Sequence, residues 1–183
     1  MTKTPYAADM LGELTEALTG IAEERTESFA ALLLGARRVF VAGAGRSGLM
    51  MRAFAMRLMH LGLNAHVVGD TATPGLRADD VLVVGSGSGE TGSLAAMAEQ
   101  AKRLGAAVAL VTASSASRIG RSADEVVRIP GATNAEREAP SVQPMGSLFE
   151  QALLLYLDAL VLRLMERLAI TEDAMKARHA NLE

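Results

Sequence analysis

The amino-acid sequence predicts an α/β protein, a three-layer α/β/α sandwich built around a five-stranded parallel sheet. Short Val-rich apolar runs alternate along the chain with longer segments of helical periodicity, which is the pattern of a parallel α/β fold. The run at residues 107–111 is apolar throughout, as expected of a strand that is buried on both faces. At 183 residues the chain is long enough for one domain with a full core, so we expect a single domain over 1–183.

Helices are predicted where apolar residues recur every three or four positions and where glycine ends the pattern. An N-terminal helix over 7–34 carries Leu11, Leu14 and Leu18 at that spacing, and Gly35 follows it. The stretch 130–144 has no clear period and is predicted to be a loop. The other predicted helices lie at 47–61, 91–104, 116–121, 145–168 and 171–182, the last two making a C-terminal helical tail over 145–182.

The strands are predicted at 38–42, 65–68, 80–84, 107–111 and 125–129. Right-handed crossovers place the ends of the first and third strands at the same carboxyl edge of the sheet. A flavodoxin-like order of 2-1-3-4-5 makes the strand order reverse between these two strands. Because ligands bind where the order reverses, we expect the loops after the first and third strands to meet one ligand.

The composition excludes several classes of function. With a net charge of −3 and 3% aromatic residues, the chain lacks the basic surface and stacking platforms that nucleic-acid binding needs. It has no Cys, and its three His are scattered without metal-ligand spacing, so we expect no metal site. There is no signal-peptide core and no apolar run of about 18 residues, so we expect a cytoplasmic protein with no membrane partner.

Two loops rich in glycine and hydroxyl groups each join a predicted strand to a predicted helix. Loop 1, residues 43–48, contains the candidate ligand-binding residues Gly45, Arg46 and Ser47. Helix N-termini offer unpaired N–H groups, and glycine lets the backbone come close to a phosphate. Two such ends predict a crevice for a phosphate carried on a polyhydroxylated body. In loop 2, residues 85–91, the candidates are Ser86, Gly87, Ser88, Gly89, Glu90 and Thr91.

Two other interpretations of these loops stay open. Gly43, Gly45 and Gly48 match the dinucleotide motif G-x-G-x-x-G, and Asp70 follows the second predicted strand, where such folds hold a ribose. An NAD-binding oxidoreductase is therefore an alternative, although loop 2 is surplus to a dinucleotide site. The loops can also be tight turns that need glycine for their geometry alone.

Three segments carry a resemblance to a known family. Loop 1, loop 2 and the run Gln-Pro-Met-Gly-Ser-Leu-Phe-Glu at 143–150 resemble the sugar isomerase (SIS) domain and, within it, the 6-phospho-3-hexuloisomerases. The resemblance implies interconversion of 3-hexulose 6-phosphate and fructose 6-phosphate, a step of formaldehyde fixation in the ribulose monophosphate pathway. It also implies a homotetramer with sites near subunit contacts, and a dimer stays open as the alternative homo-oligomer. An arabinose 5-phosphate isomerase and a non-catalytic phosphosugar sensor remain alternatives.

The resemblance implies that Glu150 is the catalytic base. A single carboxylate above a planar cis-enediolate can take a proton from C2 and return it at C3, so no hydride acceptor, metal or other cofactor is expected. From the sequence alone, Glu150 also completes a capping box with Ser147, because Ser-Leu-Phe-Glu is a pattern of helix N-termini. Glu90 is the second candidate for the base.

Two roles stay open for His60, which ends the helix that loop 1 begins: a cation at the helix C-terminus, or a proton shuttle in catalysis. Ser141, Gln143 and Thr73 lie in loops that can reach sugar hydroxyls, although a plain surface loop is the simpler interpretation. The helix 145–168 is apolar on more than one face, so we expect it or the N-terminal helix to pack between subunits.

Overall fold

The computed structural model describes residues 5–114, 116–132 and 141–182, and its centre is a five-stranded parallel sheet. The strands are β1 (Val39–Gly43), β2 (Ala65–Val67), β3 (Val81–Gly85), β4 (Ala107–Thr112) and β5 (Glu125–Arg128). Their order is β2-β1-β3-β4-β5, so the predicted topology is confirmed. β1 and β3 pair in parallel with Gly43 opposite Gly85, which brings the ends of both strands to the same level at the carboxyl edge.

Helices cover both faces of the sheet, as the three-layer prediction requires. Successive side chains of a strand point to opposite faces, so Val41 and Val83 face one layer while Phe40 and Leu82 face the other. The first layer holds α1, α2, α3 and α5, and the second holds α4. No helix in the described part of the chain combines the length and apolar character needed to span a bilayer. The helices are α1 (Pro5–Thr19), α2 (Glu23–Gly35), α3 (Gly45–His60), α4 (Gly92–Arg103), α5 (Ser147–Leu168) and α6 (Glu172–Lys176).

The N-terminal segment differs from the prediction of one helix over 7–34. It forms two helices, α1 and α2, separated at residues 20–22. A Cβ atom at Gly20 would lie 2.3 Å from Cγ of Pro130, so the chain passes Pro130 at a distance that only glycine permits. The break therefore depends on a contact near the end of β5, and nothing in the periodicity of 7–34 indicates it.

Two predicted short helices are wrong in type or extent. Residues 116–121 form turns, and the amides of Arg118 and Ile119 donate to Glu90 and Gly89 of loop 2. In the predicted polar helix 171–182, only the five residues of α6 are helical. The predicted loop 130–144 is irregular at 130–132 and 141–144, and residues 133–140 lie outside the described chain.

The close approach of β1 and α3 gives a prediction for stability. A Cβ atom on Gly48 would lie 2.7 Å from the carbonyl oxygen of Gly43, and this backbone contact has no flexible side chain to move aside. We expect Gly48→Ala to lower the free energy of unfolding by about 1–3 kcal/mol, as overpacking does. Urea unfolding measures the change, with Gly12→Ala as a control because a Cβ atom there meets nothing within 4 Å. Equal stability of the two variants would contradict the prediction.

Candidate active site

Loop 1 turns directly from β1 into α3. Gly45 begins the helix with a φ of 56°, a left-handed conformation that glycine adopts without steric cost. A Cβ atom on Gly43 would lie 2.9 Å from Cα of Gly48, so these two glycines serve the packing of strand and helix. The turn and the packing therefore account for the glycines of loop 1. The side chains at this edge are Arg46, which is exposed, and Ser47, which is buried.

Loop 2 is held by hydrogen bonds within itself. Ser86 Oγ accepts a bond from the amide of Gly89 at 3.1 Å, and Ser88 Oγ accepts one from the amide of Glu90 at 3.2 Å. Each hydroxyl is an acceptor in these bonds and keeps its own hydrogen for donation. The amides of Gly87 and Ser88 make no hydrogen bond to another described residue. Loop 2 therefore offers a cluster of donors, which suits an anion.

The last two residues of loop 2 differ in what they contribute. Thr91 is the N-cap of α4, and its half-buried side chain makes no capping hydrogen bond. The carboxylate of Glu90 instead accepts a hydrogen bond from the amide of Arg118 at 2.6 Å. Glu90 therefore braces the turn at 116–121 against loop 2, which fits a structural role better than that of a base.

The start of α5 lies beside loop 1 and loop 2 at the carboxyl edge of the sheet. The ring of Phe149 lies 3.1 Å from the position that a Cβ atom on Gly87 would take, so the ring packs on the backbone of loop 2. The next residue, Glu150, has a side chain 18% exposed, and its Oε2 accepts a hydrogen bond from Nη1 of Arg46 at 2.9 Å. Loop 1, loop 2 and Glu150 are therefore neighbours at the point where the strand order reverses.

The capping interpretation of Glu150 is wrong. The N-cap of α5 is Gly146, Ser147 is the first helical residue, and no side chain caps this helix end. The carboxylate pairs with Arg46 instead, a charged partner that forms a stronger hydrogen bond than a neutral amide does. Because Arg46 is 104 positions away in sequence, no local pattern could indicate the pair.

The sequence analysis missed one buried acid, Glu13 of α1, which is 8% exposed. Its carboxylate accepts hydrogen bonds from Ser141 Oγ at 2.7 Å, from the amide of Val142 at 2.9 Å and from Nε2 of Gln143 at 3.2 Å. Ser141 and Gln143 are therefore anchored to α1, and with them the loop that leads into α5. An acid in an amphipathic helix normally faces solvent, so the sequence carries no signal for this role.

His60 is buried at the C-terminal end of α3, where the tail of the chain covers it. Its ring stacks on that of His179 with the centroids 5.3 Å apart, and its Nδ1 lies 3.4 Å from Nη1 of Arg57. Nη1 of Arg178 donates to the carbonyl oxygen of His60 at 3.1 Å. Burial, followed by the positive charges of Arg57 and His179, lowers the pKa of His60 below its usual value. A neutral ring does not serve as the helix-terminal cation that the sequence left open.

His60 and Glu150 lie far apart within one chain. Helix α3 has 16 residues and is therefore about 24 Å long at 1.5 Å per residue. Arg46, the partner of Glu150, lies at the N-terminal end of this helix, and His60 lies at the other end. The two residues predicted to be catalytic therefore do not meet in a single copy of the chain.

The lowered pKa of His60 predicts how stability depends on pH. The unfolded chain protonates this histidine near pH ~6.5, whereas the folded protein resists protonation, so below that pH the unfolded state binds more protons. We expect full stability above about pH 6.5 and a decrease, by at most about 1.4 kcal/mol per pH unit, as the pH falls toward the lower folded pKa. Urea midpoints of the wild type and His60→Gln across this range measure the effect. If stability declines identically in both proteins as the pH falls, the pH dependence comes from titratable groups other than His60.

The strand order of this sheet differs from the order found in dinucleotide-binding folds. β1 lies between β2 and β3, whereas the dinucleotide-binding order 3-2-1-4-5-6 places the first strand between the second and the fourth. Asp70, the candidate ribose ligand, forms an ion pair with Arg52 at 2.8 Å. Thr73, a candidate for binding sugar hydroxyls, donates its hydroxyl hydrogen to the carbonyl of Val67 at 2.5 Å. Both side chains are therefore engaged by partners near β2.

Comparison with known proteins identifies relatives of the chain. The SIS domain matches residues 32–161. The 3-hexulose-6-phosphate isomerase of Bacillus subtilis (strain 168) is 46% identical over 185 residues, which span 100% of both chains. The 3-hexulose-6-phosphate isomerase of Mycobacterium gastri is 42% identical over 93% of this chain and 86% of its own length.

A solved structure agrees with these relatives. The crystal structure of a protein from Methanococcus jannaschii, for which a molecular function of 3-hexulose-6-phosphate isomerase has been inferred, is 31% identical and covers 100% of both chains. It superposes on this chain with a TM-score of 0.83, so the two proteins share the fold. The chain therefore belongs to the SIS domain family, with 3-hexulose-6-phosphate isomerases among its relatives.

Proposed function

We propose that this protein is a phosphosugar isomerase that interconverts 3-hexulose 6-phosphate and fructose 6-phosphate. The observation that carries the proposal is the position of Glu150, a partly buried carboxylate beside two donor-rich loops at the carboxyl edge of the sheet. Full-length similarity to isomerases named for this substrate supports the choice among phosphosugars. Such an enzyme would serve formaldehyde fixation through ribulose monophosphate, as the resemblance implies.

The phosphate group binds between loop 1 and loop 2 in this proposal. The hydroxyls of Ser47, Ser86, Ser88 and Thr91 donate to its oxygens, and the guanidinium of Arg46 adds positive charge. The phosphate contacts are remote from the reacting carbons, so their binding energy contributes by positioning C2 and C3 and takes no direct part in the proton transfer. Gly87 and Gly89 let the backbone of loop 2 come close to the phosphate, and Gly45 makes the turn that places Arg46 and Ser47 beside it.

Glu150 transfers the proton between carbons. The 3-ketose stays open because its C6 oxygen carries the phosphate and cannot close a furanose ring. The carboxylate of Glu150 takes a proton from C2, which leaves a cis-enediolate, and returns a proton at C3, while a second proton passes from O2 to O3. The carbonyl has then moved from C3 to C2. A positioned base of this kind contributes ~10²–10⁴-fold to the rate.

We infer that His60 assists the proton transfer at oxygen in the site of a neighbouring copy. The length of α3 separates His60 from Glu150 of its own chain. In a symmetric pair of copies, each histidine would instead serve the site of the other copy. Leu162 and Met165 of α5 line the same cavity as His60, about 500 Å³ in volume, and Leu162 is 62% exposed. Exposed apolar residues on this side of α5 fit a subunit contact in a dimer or tetramer.

A panel of phosphosugars, incubated with the protein without added metal or NAD, tests the proposed function. We expect 3-hexulose 6-phosphate and fructose 6-phosphate to interconvert and arabinose 5-phosphate to stay unchanged. Turnover of arabinose 5-phosphate alone would favour the pentose enzyme, and binding without turnover would favour a sensor. Calorimetry with NADH completes the panel, because micromolar NADH binding without phosphosugar binding would favour the oxidoreductase.

Ser88→Ala tests the phosphate site. We expect KM to rise by at least about 10-fold, because a hydrogen bond to a charged group is worth about 1.5–3 kcal/mol. We expect kcat to change little, because the phosphate contact is the same in the ground and transition states. Steady-state kinetics measure both, with Ser122→Ala as a control because its hydroxyl donates to Ile119 outside the two loops. An unchanged affinity for fructose 6-phosphate would remove Ser88 from the site.

A further inference from the structure

A cavity of about 490 Å³ lies beside Arg46, the partner of Glu150, and has both apolar and polar residues in its wall. It is bounded by α1, the start of α3, the loop that leads into α5 and the first turns of α5. Arg46 lines this cavity and also binds the carboxylate of Glu150. The guanidinium of Arg46 therefore contacts both the cavity and the proposed base. The proposed function described above assigns no part of the substrate to this cavity.

Gln143 lines this cavity and carries a buried oxygen without a hydrogen-bond partner among the described residues. The residue is 6% exposed, and its Nε2 donates to Glu13 Oε2 at 3.2 Å. A carboxylate only accepts hydrogen bonds, so the amide nitrogen must face Glu13, and the orientation of the amide group is fixed. Its Oε1 is buried and has no hydrogen-bond partner among the described residues. A buried acceptor left in this state costs stability, which is recovered when a donor arrives.

Gln151 carries a second buried oxygen of this kind. Its Oε1 is buried without a hydrogen-bond partner in the described part of the chain, and the residue lines the same cavity. Gln151 lies one helical turn after Ser147, whose hydroxyl group is also at the cavity wall. Two amide oxygens and a hydroxyl group favour a ligand that donates hydrogen bonds. The positive charge of Arg46 disfavours a cationic ligand. Neutral hydroxyl groups on a carbon chain meet both conditions.

We propose that Gln143 and Gln151 form a subsite that binds the hydroxyl groups at the C1 end of an acyclic sugar phosphate. Successive residues of α5 support this order: Phe149 packs on loop 2, Glu150 binds Arg46, and Gln151 lines the cavity. A sugar with its C6 phosphate on loop 2 passes Glu150 at C2 and C3, and its C1 hydroxyl then enters the cavity. This assignment rests on the proposed function for the direction of the substrate.

Calorimetry with two probes tests the subsite. Glucitol 6-phosphate carries the hydroxyl chain but has no carbonyl and cannot isomerise, and inorganic phosphate carries only the anion. We expect Gln143→Met and Gln151→Met each to raise the Kd of glucitol 6-phosphate by about 3- to 10-fold, the worth of one hydrogen bond. The Kd of inorganic phosphate is expected to stay unchanged. Gln100→Met is the matched control, because it makes the same substitution in α4, outside the cavity lining.

The outcomes separate the subsite from the proposed reaction. Unchanged binding of glucitol 6-phosphate in Gln151→Met and Gln143→Met would overturn the subsite, and so would an equal loss of inorganic phosphate binding. A change in oligomeric mass in either variant, read by light scattering, would also overturn it, because a neighbouring copy would then fill the cavity. If the wild type isomerises no hexulose phosphate but the two variants lose glucitol 6-phosphate affinity as expected, the subsite stands and the proposed function fails. Gln143→Met removes a hydrogen bond to the buried Glu13 and can therefore disturb folding. Gln151→Met leaves that bond in place, so the Gln151 variant tests the subsite even if Gln143→Met does not fold.

Discussion

Replacing Glu150 by Gln is expected to lower kcat by at least ~10²-fold, the lower end for loss of a general base. The amide cannot accept a proton from C2, although its oxygen can still accept the hydrogen bond of Arg46. Because no side chain caps α5, the change removes no capping bond, and we expect the free energy of unfolding to change little. Affinity for fructose 6-phosphate is expected to survive, because loop 1 and loop 2 are unchanged.

Solvent deuterium incorporation separates catalysis from structure in this variant. Wild-type enzyme in heavy water is expected to place deuterium at the transferred carbon during turnover, and Glu150→Gln is expected to place almost none. Glu166→Gln is the control, since it removes an exposed carboxylate from the other end of α5. If Glu150→Gln isomerises and exchanges at near wild-type rates, Glu150 is not the base, and Glu90 becomes the candidate despite its bond to Arg118.

The sheet could be predicted from sequence because its signals are local. The runs of β1, β3 and β4 are short and apolar, and right-handed crossovers leave few orders for parallel strands. Once the order is known, the position of loop 1 and loop 2 at the same edge follows from the chain direction. The edge that carries the candidate site was therefore predictable before any contact was known.

The failures share a different cause, which is dependence on a remote partner. The helix break at Gly20 lies against Pro130, and the turns at 116–121 are hydrogen-bonded to Glu90 and Gly89. A hydrophobic pattern reports which face of a segment is buried, and it does not report which residue will approach that face. The helical prediction is right for most of 7–34 and wrong at 116–121, and in both segments a tertiary contact lies at the point of difference.

The candidate site shows the same limit for side chains. A Ser-x-x-Glu pattern predicts a capping box, but it holds no information about Arg46, whose charge binds Glu150 more strongly. Glu13 likewise resembles a surface acid until Ser141 and Gln143 are seen to bind it. Sequence could name Glu150 as a candidate base through resemblance, but the partners that hold it in place required the fold.

His60→Ala is expected to lower kcat by about 10²-fold or more, although the residue lies at the far end of α3 from its own Glu150. The reason is that the histidine would move a proton in the site of a neighbouring copy, where its lowered pKa keeps the ring neutral and able to accept. Since His60 is buried, His60→Asn, which retains more of the side chain's polar contacts, accompanies it. Urea unfolding of both variants shows whether the fold is kept.

Mixing two inactive variants then tells whether a site is shared between copies. In a symmetric dimer of Glu150→Gln with His60→Ala, one site combines the intact Glu150 of one copy with the intact His60 of the other. Random assembly at equal amounts makes half of the dimers mixed, so roughly a quarter of wild-type activity should return after the two are unfolded and refolded together. Glu150→Gln refolded with the double variant Glu150→Gln/His60→Ala is the control, because no intact Glu150 is present and activity should stay absent. If the first mixture also stays inactive while both variants fold and assemble, each site is built within one chain, and the role of His60 is confined to holding the tail through His179 and Arg178.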